Sequence, residues 1–166
     1  MSTITEEKLK TYYDFALKLV YDCAPIMLEG FAKVKRDFKV KSAFFDLVTV
    51  YDKQIEDKII ASLQSEFPES LFIGEEESAE SHREAELTDA PTWIIDPIDG
   101  TTNFIKKIPH CCISVGLAIN KELVLGIVYN PICNEMYSAY KGHGAYLNDA
   151  RIYVTNCTSV SVHNSK

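Results

Sequence analysis

The sequence predicts an α+β fold in which two N-terminal helices pack against a largely antiparallel sheet. Two observations predict this class. Apolar residues recur at helical intervals through most of the first 66 residues, whereas the chain after residue 92 consists of short apolar segments separated by turn residues. The chain has 166 residues, which is enough for one domain with a hydrophobic core.

The two helices are predicted from their starts, their apolar faces and their stops. Thr3 and Glu6 have capping-box spacing, and the helix that follows is expected to kink or break at Pro25 and to end near Gly30. Its apolar face is expected to contain Leu9, Tyr13, Ala16, Leu17, Val20 and Met27. The second helix is predicted over residues 46–66.

Short apolar or alternating segments predict the strands. We expect an edge strand between the two helices, a brief buried strand after the second helix, and then a meander of antiparallel strands that turns at residues 120–122. The polar, acidic stretch 81–90 is predicted to be a surface loop or a short helix. The strands are expected at 37–41, 71–73, 93–95, 111–120, 123–130, 135–140 and 151–154.

Composition excludes several classes of function. A formal net charge of −7 argues against general nucleic-acid binding, but it permits a small phosphorylated substrate because bound cations reverse the local charge. No apolar run approaches the roughly 20 residues of a membrane span, and the N-terminus lacks the features of a signal peptide. The five cysteines are odd in number and have no CxxC spacing, which indicates a reduced, cytoplasmic protein.

The segment from Trp93 to Phe104 reads Trp-Ile-Ile-Asp-Pro-Ile-Asp-Gly-Thr-Thr-Asn-Phe, and it is the most informative stretch of the chain. A buried strand leads into Asp96 and Asp99, and Gly100 permits a tight turn before residues typical of a helix start. Carboxylates suit Mg²⁺, and amides at a helix start suit phosphate oxygens. The segment therefore predicts metal-assisted phosphate chemistry.

A third acidic residue, Glu75, follows the short strand at 71–73, so neighbouring strands could bring it to Asp96 and Asp99. Oxygen ligands of this kind favour Mg²⁺ over softer metals. The simpler alternatives are that residues 75–77 form a solvated acidic loop and that Asp96 forms a turn. For the segment 46–49 and the following Asp52, the simpler alternative is a helix cap and first turn.

Four segments together resemble the inositol monophosphatase family, over almost the whole chain and in the family order. They are Asp46-Leu47-Val48-Thr49, Gly74-Glu75-Glu76, Trp93 to Phe104, and Gly142 to Asn148. The resemblance implies a layered α/β sandwich of the inositol monophosphatase type and a lithium-sensitive, Mg²⁺-dependent phosphatase. It also implies a homodimer, a small-molecule phosphate monoester as substrate, and two or three Mg²⁺ ions per complete site.

The resemblance also implies roles for individual residues. Glu75, Asp96 and the backbone carbonyl of Ile98 would hold one Mg²⁺, and Asp96 and Asp99 would hold a second. Thr101 would orient the attacking water, supported by Asp52 and by the metal-bound Glu75. Glu76 would lie next to the metal ligands without binding the metal itself. The phosphate would lie on Glu75, Ile98, Asp99 and the amides of Gly100, Thr101 and Thr102. No cysteine has an evident activating partner, so a thiol nucleophile is not expected.

Members of this family continue into a second half that carries a Trp-Asp-x-Ala-Gly motif, and nothing in this sequence matches that motif. The resemblance therefore predicts an N-terminal metal- and phosphate-binding domain over residues 1–154, a polar, disordered tail over 155–166, and the absence of the C-terminal half. The aspartate of the missing motif would complete the second metal site. Its absence is expected to weaken that site.

The leading functional hypothesis is Mg²⁺-dependent hydrolysis of myo-inositol monophosphates by a metal-activated water. One alternative is a related phosphatase that acts on bisphosphorylated nucleotides or on sugar phosphates, because selectivity would reside largely in the second half. The other is a catalytically silent fragment that binds metal and associates with full-length subunits. A substrate panel distinguishes the first two, and mixing with a full-length homologue tests the third.

Overall fold

The computed structural model describes residues 4–33, 41–74 and 87–155, with the backbone alone over 41–49. In this part of the chain, seven strands form one sheet in sequence order, in which β1 and β2 are parallel and all other neighbours are antiparallel. Two long helices pack on the sheet, so the predicted α+β fold is confirmed. The elements are α1 (Glu6–Lys33), α2 (Lys41–Glu66), β1 (Leu71–Gly74), β2 (Thr92–Asp99), α3 (Thr101–Ile105), β3 (Cys112–Ile119), β4 (Glu122–Asn130), β5 (Glu135–Tyr140), β6 (Gly144–Leu147) and β7 (Ala150–Ile152).

Helix α1 starts at a threonine cap. The amide of Lys8 donates to Oγ1 of Thr5 at 3.3 Å, whereas Thr3 of the predicted capping box lies outside the described residues. The helix continues through Pro25 and ends three residues beyond Gly30, so a break at Pro25 is wrong, whereas the alternative of a kink stays a prediction. Buried residues on both sides of the proline keep the helix on the sheet, and this packing outweighs one lost backbone hydrogen bond.

The buried face of α1 is close to the predicted one. Leu9, Ala16, Val20 and Met27 are buried as expected. Tyr13 and Leu17 are only partly buried at the margin of the core, and the central positions are instead taken by Tyr12, Leu19, Cys23 and Ala24. The face is therefore rotated slightly from the one that the apolar pattern predicts.

Helix α2 begins at Lys41, five residues earlier than predicted, and it ends at Glu66 as predicted. The predicted edge strand is wrong at Lys41, and its other residues, 37–40, lie outside the described residues. Because helical turns precede Asp46, that residue is not the helix cap. The face of α2 that packs on the sheet contains Tyr51, Asp52, Ile55, Glu56, Ile59 and Leu63.

The meander from β3 to β5 agrees with prediction. Asn120 and Lys121 form the β3–β4 turn with φ values of 52° and 63°, both left-handed as in a type I′ hairpin turn. Strand β6 was missed because Gly142 and Gly144 resemble turn residues, and β7 occupies Ala150–Ile152 rather than 151–154.

Strand β1 lies at the margin of the sheet and is less buried than predicted. Its first residue, Leu71, is 45% exposed, and Gly74 is its only buried residue. The reason is that, among the strands that the structure describes, β1 has a neighbour on one side only, which is β2.

The helices cover one face of the sheet, where Trp93 packs against Tyr12 and Phe67 with ring centroids 5.8 and 6.1 Å apart. The opposite face is open in the described part of the chain and is largely apolar. Its exposed side chains include Leu71, Ile94, Leu123, Val128, Tyr137 and Ile152. No helix among the described residues is both long enough and apolar enough to cross a bilayer.

Candidate metal and phosphate site

The end of β2 brings two carboxylates to the same face of the sheet. Asp96 pairs with Ser114 and Asp99 pairs with Cys112, so three residue steps on β2 oppose two on β3, and a bulge lies between them. Ser114 and Cys112 are two apart and share a face. The extra residue therefore turns Asp99 onto the face of Asp96, which an unbroken strand would not do.

The thiol of Cys112 lies close enough to both carboxylates to be affected by their charges. Its Sγ lies 3.7 Å from Oδ2 of Asp99. Burial, followed by the negative charges of Asp99 and Asp96, raises the pKa of Cys112 to about 12. Asp96 is half-buried with its Oδ1 inside the protein, whereas Asp99 is exposed. The site thus has one half-buried carboxylate, that of Asp96, and one exposed carboxylate, that of Asp99.

A left-handed glycine connects β2 to α3. Gly100 has φ 84° and ψ 37°, and a β-carbon there would lie 2.8 Å from the carbonyl oxygen of His110. The hydroxyl of Thr101 donates to the carbonyl oxygen of Ile98 at 3.2 Å. The amides of Thr101 and Thr102 lie in the first turn of α3, where N–H groups have no acceptor within the helix. They are two of the three amides predicted to receive phosphate, and the third is that of Gly100.

Helix α2 brings Asp52 toward α3. The rings of Tyr51 and Phe104 both lie against Gly30, where a β-carbon would be 2.7 Å from Cγ of Tyr51 and 3.1 Å from Cζ of Phe104. Asp52 is the next residue on α2 and is 5% exposed. Asp52 is therefore a buried residue that directly follows the contact of α2 with the Gly30 and Phe104 region.

The third predicted acidic ligand, Glu75, is not among the described residues. Glu75 and Glu76 lie outside the described residues, as do the side chains of residues 46–49. Within the described ranges, no group of three histidine, cysteine, aspartate or glutamate residues could hold a metal ion. The described residues supply Asp96, Asp99 and the Ile98 carbonyl, which are oxygen donors that fit Mg²⁺. The full ligand set stays a prediction.

One residue of this region was missed from the sequence. Glu56 is 4% exposed and lies beside Gly74, the last residue of β1. The available signal was its position one turn after Asp52, on the same face of α2 as Ile55 and Ile59.

Three of the described cysteines have a raised pKa. Burial raises the pKa of Cys23 and of Cys111 to about 11. Together with Cys112 these side chains are protonated at neutral pH, and a thiol is a poor nucleophile compared with a thiolate.

Gly100→Ala is expected to lower the free energy of unfolding by about 2 kcal/mol, because alanine is strained at positive φ and its methyl group would contact the His110 carbonyl. Urea denaturation measures the change. Gly126→Ala is the matched control, since a β-carbon at Gly126 has nothing within 4 Å. Equal stability of the two variants would contradict the described turn.

Comparison with known proteins decides the family. The sequence profile of the inositol monophosphatase family matches residues 8–166. The chain belongs to the inositol monophosphatase family. It is 43% identical over 148 residues to inositol monophosphatase 2 of Solanum lycopersicum, covering 89% of this chain and 55% of that protein. It is 40% identical over 142 residues to inositol monophosphatase 1 of Homo sapiens, covering 86% of this chain and 50% of that protein.

Solved structures agree with this family assignment. The crystal structure of inositol monophosphatase II from Staphylococcus aureus MSSA476 superposes with a TM-score of 0.75 at 27% identity, covering 89% of this chain and 52% of that chain. The predicted fold type is therefore confirmed. The chain spans about half the length of the relatives that it matches.

Proposed function

We propose that the protein is a Mg²⁺-dependent phosphatase of myo-inositol monophosphates, and that residues 1–154 form its N-terminal metal- and phosphate-binding domain. The observation that carries the proposal is the bulge in β2, which turns Asp96 and Asp99 onto one face directly before the first turn of α3. A cation beside two carboxylates and amides beside a phosphate suit the hydrolysis of a phosphate monoester. Membership of the inositol monophosphatase family supports the choice of substrate.

We propose that Glu75, Asp96 and the Ile98 carbonyl hold one Mg²⁺ and that Asp96 and Asp99 hold a second, with a third ion as a further possibility in the complete site. When bound, these ions neutralise charge on the phosphate and lower the pKa of a coordinated water. The protein's task in such a reaction is mainly positioning and charge neutralisation.

Thr101 is suited to orienting the attacking water. Because its hydroxyl hydrogen is directed to the Ile98 carbonyl, its oxygen is left to accept a hydrogen bond from water. Asp52, buried on α2, and Glu75 are proposed to support this water. The amides of Gly100, Thr101 and Thr102 are proposed to hold the phosphate, with Glu76 behind the metal ligands.

We also propose that the protein acts in the cytoplasm on a small-molecule substrate, as a homodimer. The cysteine pattern and the net charge of −7 support a reduced compartment and argue against nucleic acid as the partner. The described thiols are free, which fits a reducing environment.

A second candidate function follows from the sheet. Because one sheet face is open and apolar in the described part of the chain, a catalytically silent fragment that binds metal and associates with full-length subunits is the main alternative. A phosphatase of bisphosphorylated nucleotides or sugars is the alternative within the enzyme class.

Phosphate release tests the proposal. The chain is assayed alone, and also joined to the C-terminal half of the tomato relative, against inositol 1-phosphate, nucleotide 3′-phosphates and sugar phosphates, with and without Mg²⁺ and lithium. We expect Mg²⁺-dependent, lithium-suppressed release from inositol 1-phosphate by the joined protein, and much less by the chain alone. No release from any substrate by folded protein would contradict the enzyme proposal, and a nucleotide or sugar preference would support the related phosphatase.

A further inference from the structure

Helix α2 carries two acids on a face that is otherwise apolar. Asp52 and Glu56 are 5% and 4% exposed and lie one helical turn apart, beside fully buried Ile55 and Ile59. Carboxylates are rarely buried to this degree, because leaving water is costly for a charged group. Two such residues one turn apart on the same helix call for a functional explanation.

The carboxyl group of Glu56 fills the space beside Gly74. A β-carbon at Gly74 would collide with Oε1 of Glu56 and would lie 2.9 Å from its Cδ. No other residue type therefore fits at this point while Glu56 keeps its place. At this point α2 approaches the end of β1 through a carboxylate that lies beside a glycine.

This contact lies directly before both of the chain segments that carry predicted metal ligands. Gly74 pairs with Ile95 in the parallel register of β1 and β2. In the sequence, Gly74 directly precedes Glu75 and Ile95 directly precedes Asp96. Glu56 thus lies beside Gly74, one of two paired strand residues that each directly precede an acid of the proposed metal site.

We propose that Glu56 is a positioning residue for the metal site, an inference that rests on the proposed function. Its side chain fixes the end of β1 relative to α2 and β2. Its negative charge, buried on α2 together with that of Asp52, adds to an acidic field that a divalent cation offsets. Glu56 itself is not a metal ligand in this proposal.

Mg²⁺ titration by calorimetry tests the inference on the whole chain, with Mn²⁺ titration by electron paramagnetic resonance as a second probe. Glu56→Gln keeps the shape of the side chain and removes its charge, and we expect about tenfold weaker binding, the lower end of what supporting residues typically contribute. The urea midpoint without metal is expected to stay the same or rise, since a buried charge is removed. A purely structural role would instead lower the midpoint.

The matched control is Asp57→Asn, which removes the same charge from the next residue, whose side chain is 64% exposed. It is expected to bind Mg²⁺ like the wild type. Wild-type affinity in Glu56→Gln, together with weakened binding in Asp96→Asn, would overturn this inference alone. No Mg²⁺ binding that depends on Asp96 would overturn the proposed function and, with it, this inference.

A second pair of variants tests the packing without metal. Gly74→Ala is expected to lower the urea midpoint in the wild type and to lower it less in a Glu56→Ala background, where the methyl group has room. An equal loss in both backgrounds would show that Glu56 does not occupy the space beside Gly74, and it would overturn the positioning role.

Discussion

Asp96→Asn is expected to abolish Mg²⁺-dependent phosphate release by the joined protein and to weaken Mg²⁺ binding by this chain at least about tenfold. The change keeps the shape of the side chain and removes a charge that both proposed ions share. Because Asp96 is half-buried beside Asp99, the loss of one like charge should not destabilise the fold without metal. Calorimetric titration and phosphate release measure the two effects.

The control for this variant is Asp89→Asn, an exposed acid three residues before β2. It changes the net charge equally and is expected to leave both binding and turnover unchanged. Turnover at the wild-type rate in Asp96→Asn would contradict the whole assignment of ligands, whereas equal losses in both variants would indicate a general effect of charge.

Phe104→Ala is expected to lower the free energy of unfolding by about 3–5 kcal/mol, the range for removing a buried phenylalanine. Phe104 is the only fully buried residue of α3, and its ring lies 5.6 Å from that of Phe31 and against Gly30. Without this ring α3 loses its anchor to α1 and α2, so phosphate binding should weaken as well. Urea denaturation gives the first quantity, and titration with inorganic phosphate in the presence of Mg²⁺ gives the second.

Two further variants bracket the effect of Phe104→Ala. Phe104→Leu keeps most of the side-chain volume and is expected to lose less stability, whereas Tyr153→Ala, at a side chain 79% exposed, should be close to neutral. A loss in Phe104→Ala no larger than in Tyr153→Ala would contradict the anchoring of α3 through its core.

Much of the fold follows from local signals in the sequence. The strands from β3 to β5 have alternating burial and a two-residue turn at Asn120, so their register is set within the hairpins themselves. The turn at Gly100 is also local, because only glycine readily adopts its φ. The short gap between Asp96 and Asp99 therefore predicts that both acids lie near one sheet end.

The remaining features depend on contacts that are distant in sequence. The contact of Glu56 with Gly74 depends on how α2 packs on the sheet, and the position of Glu56 beside Ile55 and Ile59 indicates burial but not this contact. Helix α1 continues through Pro25 because of the sheet beneath it. Likewise, the bulge that turns Asp99 toward Asp96 is defined by pairing with β3, which a single strand does not reveal.

The most direct test of the metal site is the anomalous signal of Mn²⁺ in crystals of this chain grown with the ion. We predict a peak at about 2.0–2.5 Å from carboxylate oxygens of both Asp96 and Asp99, the distance range of hard divalent cations. Peaks that lie only at other acidic residues, or no peak at saturating Mn²⁺, would contradict the claim that the end of β2 is a metal site.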